Sequence, residues 1–242
     1  MSLPDVVSHE QWLDARKELL QREKELTRWR DSLIADRRRL PMVRVAKDYR
    51  FTGPDGEVNF EQLFEGRTQL IVCHFMFDPE WEDGCASCTA GADEMSPGLL
   101  EHLHVRDTTL AYVSRAPYEK IAGYQAKRGW TFPWYSSHDS DFNYDFSVTL
   151  DEAVAPPSYN YKDAAEIRRM GFDPAGEFPG RSSFLRAGDG IFHTYSVYAR
   201  GTESIGGSYY LLDETALGRQ EEWEEPKGRS ESARAASPDF AS

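Results

Sequence analysis

The chain has 242 residues, of which 40% are hydrophobic, and carries a formal net charge of −13. That length holds one substantial core with room for an extension at each end. The negative charge excludes a nucleic-acid or anionic-membrane surface, because counterion release would have the wrong sign. No apolar stretch approaches the roughly 20 residues that span a bilayer. The opening MSLPDVVSHE lacks the basic and apolar regions of a secretory signal, and three cysteines make no disulfide framework. A soluble cytoplasmic protein is the expectation.

Ser8-His9-Glu10-Gln11 fits a capping box. From there to Leu40 the sequence is charge-rich and free of Gly and Pro, and its apolar positions, Trp12, Leu13, Leu19, Leu20, Leu26, Trp29, Leu33, Ile34 and Leu40, come close to a seven-residue recurrence. This predicts one long amphipathic helix whose apolar stripe is buried, either on the following domain or on a second subunit. Arg37-Arg38-Arg39 falls at its C-terminus, where cations favour the helix dipole.

A first strand is expected over Val43–Phe51, then a turn at Gly53-Pro54-Asp55-Gly56. Gln69–Phe77 (QLIVCHFMF) is a continuous apolar run of strand length, the signature of a strand buried on both faces. Alternation puts Cys73 and His74 on opposite faces; Cys73 reads as a small core residue and His74 as a satisfied buried histidine. A polar loop, Asp78–Gly84, leads into Cys85-Ala86-Ser87-Cys88 and a helical stretch.

A Cys-x-x-Cys that opens a helix after a strand is a redox signal. Unpaired N–H groups and the positive end of the dipole stabilise a thiolate there, so Cys85 is expected to attack and Cys88, one turn further in, to resolve. A structural zinc site would need two further ligands, and there is no second Cys-x-x-Cys.

The helix should restart near Pro97-Gly98. Thr108–Ser114 reads as the next strand, and Pro117 to Arg128, stopped by Gly129, as the next helix. This strand–helix–strand–helix order implies parallel neighbours and places the dithiol at the carboxyl end of its strand. Trp130–Phe146 is dense in aromatics and reads mostly as core. Asp151–Gly180 is expected to be an irregular insertion. Ser183–Arg186, Gly188-Asp189-Gly190 and Ile191–Tyr198 form a β-hairpin pattern. Tyr209–Asp213 is a short strand or helical turn, and the acidic, then Ser/Ala-rich tail is expected to be disordered.

The strand with its CxxC, the βαβα unit and the hairpin together look like the thioredoxin fold. Gln69–Phe77, GCASC (Gly84–Cys88), VSRAP (Val113–Pro117), GWTFPWYSS (Gly129–Ser137), SDFNYDF (Ser140–Phe146) and FHTYSVYARG (Phe192–Gly201) more closely resemble a bacterial thioredoxin-like family of unknown function, described as predicted dithiol-disulfide oxidoreductases. The resemblance implies an α/β, thioredoxin-like domain over residues 42–219: a central mixed sheet flanked by helices. Residues 1–41 form an N-terminal helical extension and 220–242 the tail. It also implies a thiol or disulfide substrate and no required cofactor. Arg115, from the loop after a neighbouring strand, is expected to help hold Cys85 as thiolate. The chain departs from thioredoxin in having Gly84 before the pair and Ala86-Ser87 within it. Asp78 and Glu82 stand where the peroxiredoxin Pro-x-x-x-Thr-x-x-Cys pattern would place Pro and Thr, which disfavours peroxidase chemistry of that type.

Two other readings follow. Copper-delivery proteins of the Sco type combine a close cysteine pair with a distant histidine, so Cys85, Cys88 and His193 (with His138 as a further candidate) could ligate copper. The chain could also be a non-enzymatic scaffold that dimerises through its N-terminal helix.

Overall fold

The computed structural model describes residues 3–203 and Lys227. The element expected at Tyr209–Asp213 and the rest of the tail lie outside the described residues. The chain divides at Pro41/Met42 into two compact units. In the first, α1 (His9–Arg37) begins at the expected capping box, with Gln11 N–H donating to Ser8 Oγ at 3.3 Å and Ser8 N–H to Gln11 Oε1 at 3.1 Å. No residue of α1 is buried, and Trp29 stands 74% exposed. The stripe that the heptad spacing expects to be covered is exposed at Trp12, Leu19, Leu26 and Leu33.

In the second unit β1 (Val43–Arg44), β2 (Arg50–Gly53) and β3 (Gly56–Asn59) precede β4 (Gln69–His74). Helices α2 (Ala86–Asp93) and α3 (Pro97–His104), β5 (Thr108–Ser114) and α4 (Tyr118–Arg128) follow. Next come β6 (Trp134–Ser136), α5 (Phe142–Asp145), β7 (Thr149–Leu150), β8 (Ser158–Tyr159), β9 (Lys162–Asp163), α6 (Ala164–Arg169) and β10 (Gly176–Glu177). The hairpin β11 (Gly180–Ala187) and β12 (Gly190–Tyr198) completes the described sheet. Eight strands form it in the order β1-β12-β11-β4-β5-β6-β2-β3. β4, β5 and β6 are parallel neighbours, while β11 runs antiparallel to β4 and β12 antiparallel to β11. A parallel βαβ unit extended by an antiparallel hairpin at β4 is the thioredoxin-like arrangement.

The single strand expected over Val43–Phe51 is two strands at opposite ends of the sheet. Val43 pairs with His193, whereas Thr52 pairs with Ser136. Between them Lys47 is salt-bridged to Asp145 (2.6 Å) and Asp141 (3.2 Å), and Tyr49 donates its hydroxyl to Asp145 at 2.7 Å. These ties carry the chain across the sheet face, which a run of strand-forming residues does not reveal.

Both faces of the central strands are covered, and all of β5 is buried. Leu70, Val72, Ala111 and Val113 pack on one face with Phe51, Phe60, Phe142 and Phe184. Cys73, Leu110 and Tyr112 pack on the other with Phe75, Phe77, Ala92, Ile121 and Trp134. Cys73 thus lies in the second cluster, and His74 stacks on Phe146 of the first, as alternation expects. The aromatic stretch supplies both cores. Trp134 is satisfied by donating Nε1–H to Ser114 Oγ (3.0 Å), whose hydroxyl donates to the Phe75 carbonyl (2.7 Å). Helix restart and stop follow the punctuation: Ser96 caps α3 ahead of Pro97, and Gly129 closes α4 in the left-handed region at φ 70°.

Phe142 is fully buried against the rings of Tyr49, Phe51, Phe60 and Phe146. Truncating it to alanine should cost about 3–5 kcal/mol of stability, read from urea unfolding. A loss below ~1 kcal/mol would contradict this packing.

Candidate active site: a dithiol at a helix N-terminus

Strand β4 ends at His74, three residues short of the apolar run. Phe75 still donates its N–H to the Val113 carbonyl at 3.0 Å, and then the chain folds back. The Cys85 N–H donates to the Met76 carbonyl at 3.0 Å, closing the intervening loop. Lys120 grips that loop from α4 through the carbonyls of Pro79 (2.6 Å) and Trp81 (2.7 Å). Glycine is required at position 84, since a Cβ there would lie 2.5 Å from the Phe75 ring. The far end of α2 is tied as well: Asp93 accepts from Arg128 and, at 2.9 Å, from Trp130 Nε1–H.

Cys85 is the N-cap of α2, with extended backbone (φ −54°, ψ 131°), and its carbonyl accepts the Thr89 N–H at 2.9 Å. Cys88 sits one turn in, partly buried against the core cluster that contains Cys73. Both thiols are free. The Cys88 thiol is the largest influence on Cys85; the Ser87 hydroxyl, 3.2 Å away, and the N–H groups of Cys88 and Ser87 act in the same direction. Together they outweigh burial and lower the Cys85 pKa to about 5. The Cys88 thiol is pushed well above the ordinary range, first by Cys85 and then by burial. Two thiols of one helical turn are thus split into an ionised and a protonated member.

The other expected site residues lie elsewhere. The Arg115 guanidinium donates to Glu177 (2.7 Å), Tyr144 (2.6 Å) and Asp78 (2.8 Å), and none of the main influences on Cys85 comes from it. His193 pairs in register with Phe184 and meets the rings of Phe146 and Phe184, which places it on the sheet face opposite Cys73 and Cys88. Its Nε2 bonds Ser196 Oγ at 2.7 Å. His138 is exposed, and its Nδ1 bonds the Arg115 carbonyl at 3.1 Å. The copper ligand set is therefore not gathered, and among the described residues no group of three or more His, Cys, Asp or Glu is placed to hold a metal ion. His74 is buried, with Nε2 bonded to Ser182 Oγ at 2.8 Å and Nδ1 unpartnered; burial lowers its pKa to about 3. No helix among the described residues is long and apolar enough to cross a membrane.

The family described as "Bacterial protein of unknown function (DUF899)" matches residues 1–236. The chain belongs to that family. Comparison with curated proteins gives no match. Among solved structures, a cysteine-to-serine variant of peroxiredoxin Q from Xanthomonas campestris is 14% identical with a TM-score of 0.46, covering 66% of this chain and 87% of its own. Peroxidoxin BcpB from Mycobacterium tuberculosis is 13% identical (TM-score 0.42; 64% and 86% covered). A thiol:disulfide interchange protein DsbE from Chlorobium tepidum is 12% identical (TM-score 0.41; 68% and 90% covered).

In the sequence Ser87 reads as a spacer, and Asp78, Glu177 and Tyr144 do not stand out as site residues. Ser87 was discoverable from its place inside the CxxC; Glu177, in an irregular insertion, carried no local signal. Because the Cys85 pKa is lowered, its thiolate forms as pH rises through about 5. Alkylation of Cys85 followed by peptide mass spectrometry should therefore climb through that pH and level off before neutrality. A midpoint near the unperturbed value of about 8.5 would contradict the geometry.

Proposed function

We propose that this DUF899 protein is a thiol–disulfide oxidoreductase. The observation that supports the reading best is the placement of the pair, Cys85 at the N-cap of α2 and Cys88 one turn in against the core, an arrangement that lowers the Cys85 pKa and raises that of Cys88. The Cys85 thiolate attacks one sulfur of a substrate disulfide, forming a mixed disulfide and expelling the other sulfur as a thiolate. Cys88 then loses its proton and attacks the Cys85 sulfur. The Cys85–Cys88 disulfide forms and the second substrate thiolate leaves, so the substrate gains two electrons and the protein loses two. A thiol reductant restores the pair by the reverse exchange.

The substrate class is a protein or small-molecule disulfide, and a cytoplasmic setting suits a pair that must be returned to thiols. Pairing of α1 with a second copy, which its exposed stripe would permit, is an addition to this chemistry and not a rival to it.

Cys85→Ser should abolish exchange with a model disulfide. Cys88→Ser should accumulate a mixed disulfide at Cys85, seen as the mass of one substrate half. Wild-type turnover in both variants would overturn the proposal.

A further inference from the structure

Arg115 sits where four separate segments meet. Asp78 belongs to the loop that closes on Cys85, Tyr144 to α5, Glu177 to β10, and Arg115 itself follows β5. All three guanidinium nitrogens are engaged, and Thr149 of β7 donates to both Glu177 oxygens at 3.1 and 3.0 Å. The Glu177 side chain is 1% exposed. A carboxylate so buried is tolerable only with its partners in place, so Glu177 is a fixed anchor for the guanidinium. Asp78 is the loop's end of the tie. One of its oxygens takes Arg115 and the other takes the Glu80 N–H at 2.9 Å, which fixes the turn. Two residues before Asp78 stands Met76. Its carbonyl receives the Cys85 N–H at 3.0 Å, which fastens the start of α2 to the loop.

We propose that Arg115 is a positioning residue, anchored on buried Glu177 and gripping Asp78, that holds the Met76 backbone against the dithiol and so serves the resolving step. This rests on the dithiol reading and assigns Asp78 and Glu177 to it. The arginine acts on the loop and not on the Cys85 sulfur. Its effect appears when the Cys88 sulfur must meet the Cys85 sulfur, because the Met76 carbonyl fixes the Cys85 end of α2 and loosening the loop would release it.

Asp78→Asn keeps the Arg115–Glu177 pair and the loop's shape while weakening the tie, so it is the principal variant; Arg115→Met and Arg115→Lys accompany it. Two readouts are taken: the pH profile of Cys85 alkylation, and the rate at which a preformed mixed disulfide at Cys85 is resolved by Cys88. In Asp78→Asn the profile should keep its midpoint while resolution slows about tenfold, a loss of the size that small misplacements cause. Arg115→Lys should recover part of what Arg115→Met loses. If Arg115→Met moves the alkylation midpoint up by about one pH unit or more, the arginine is a direct counter-charge and the proposal is overturned. It is equally overturned if Asp78→Asn resolves at the wild-type rate. Should Arg115→Met not fold, Asp78→Asn alone decides. Failure of wild-type Cys88 to resolve the mixed disulfide would instead defeat the underlying redox reading.

Discussion

The site depends on one backbone hydrogen bond, from the Cys85 N–H to the Met76 carbonyl at 3.0 Å. It makes the chain leave β4, loop out and return so that a helix starts beside the strand it came from. Everything around it keeps that closure in place. Gly84 leaves room for the Phe75 ring, Lys120 holds two loop carbonyls, and Asp78 is tied to Arg115. With the closure made, Cys85 becomes an N-cap, and the first N–H groups of α2 are available to a sulfur anion.

From that geometry the electrostatics follow. The Cys85 thiolate is stabilised by hydrogen bonds from the Cys88 thiol and the Ser87 hydroxyl and by nearby N–H groups, without a cation among its main influences. The same contact that lowers Cys85 raises Cys88, since the anion holds its neighbour's proton. A site built this way works within a chain of net charge −13, because it relies on short-range dipoles and not on the long-range field.

Much of the fold was legible because its signals are local. The apolar run that contains β4, a Ser96-Pro97 helix start, a Gly129 stop and the Gly188-Asp189 turn each announce themselves within a few residues. So does the CxxC. The unread parts are contacts between distant segments. Val43–Phe51 looks like one strand, but Lys47 and Tyr49 are drawn to Asp145, nearly a hundred residues on. Arg115 stands out by its place after β5, but its side chain turns to Glu177, Tyr144 and Asp78 and not to the Cys85 sulfur, partners that could not be known without the fold. His193 failed as a ligand candidate for the same reason: a sheet face separates it from the cysteines, and strand parity alone does not say which face the CxxC helix covers. The α1 stripe shows that a heptad pattern marks a surface without marking what lies on it.

Stabilising the Cys85 thiolate stabilises the reduced pair, which makes the disulfide the more readily reduced partner in exchange. The most direct test is differential alkylation of Cys85 and Cys88 with mass spectrometry across a defined thiol–disulfide redox series. The account predicts one reversible two-electron transition between two thiols and one Cys85–Cys88 bridge, the same with and without a chelator. Cysteines that never form that bridge at any poise, or whose alkylation depends on stripping a metal, would contradict it.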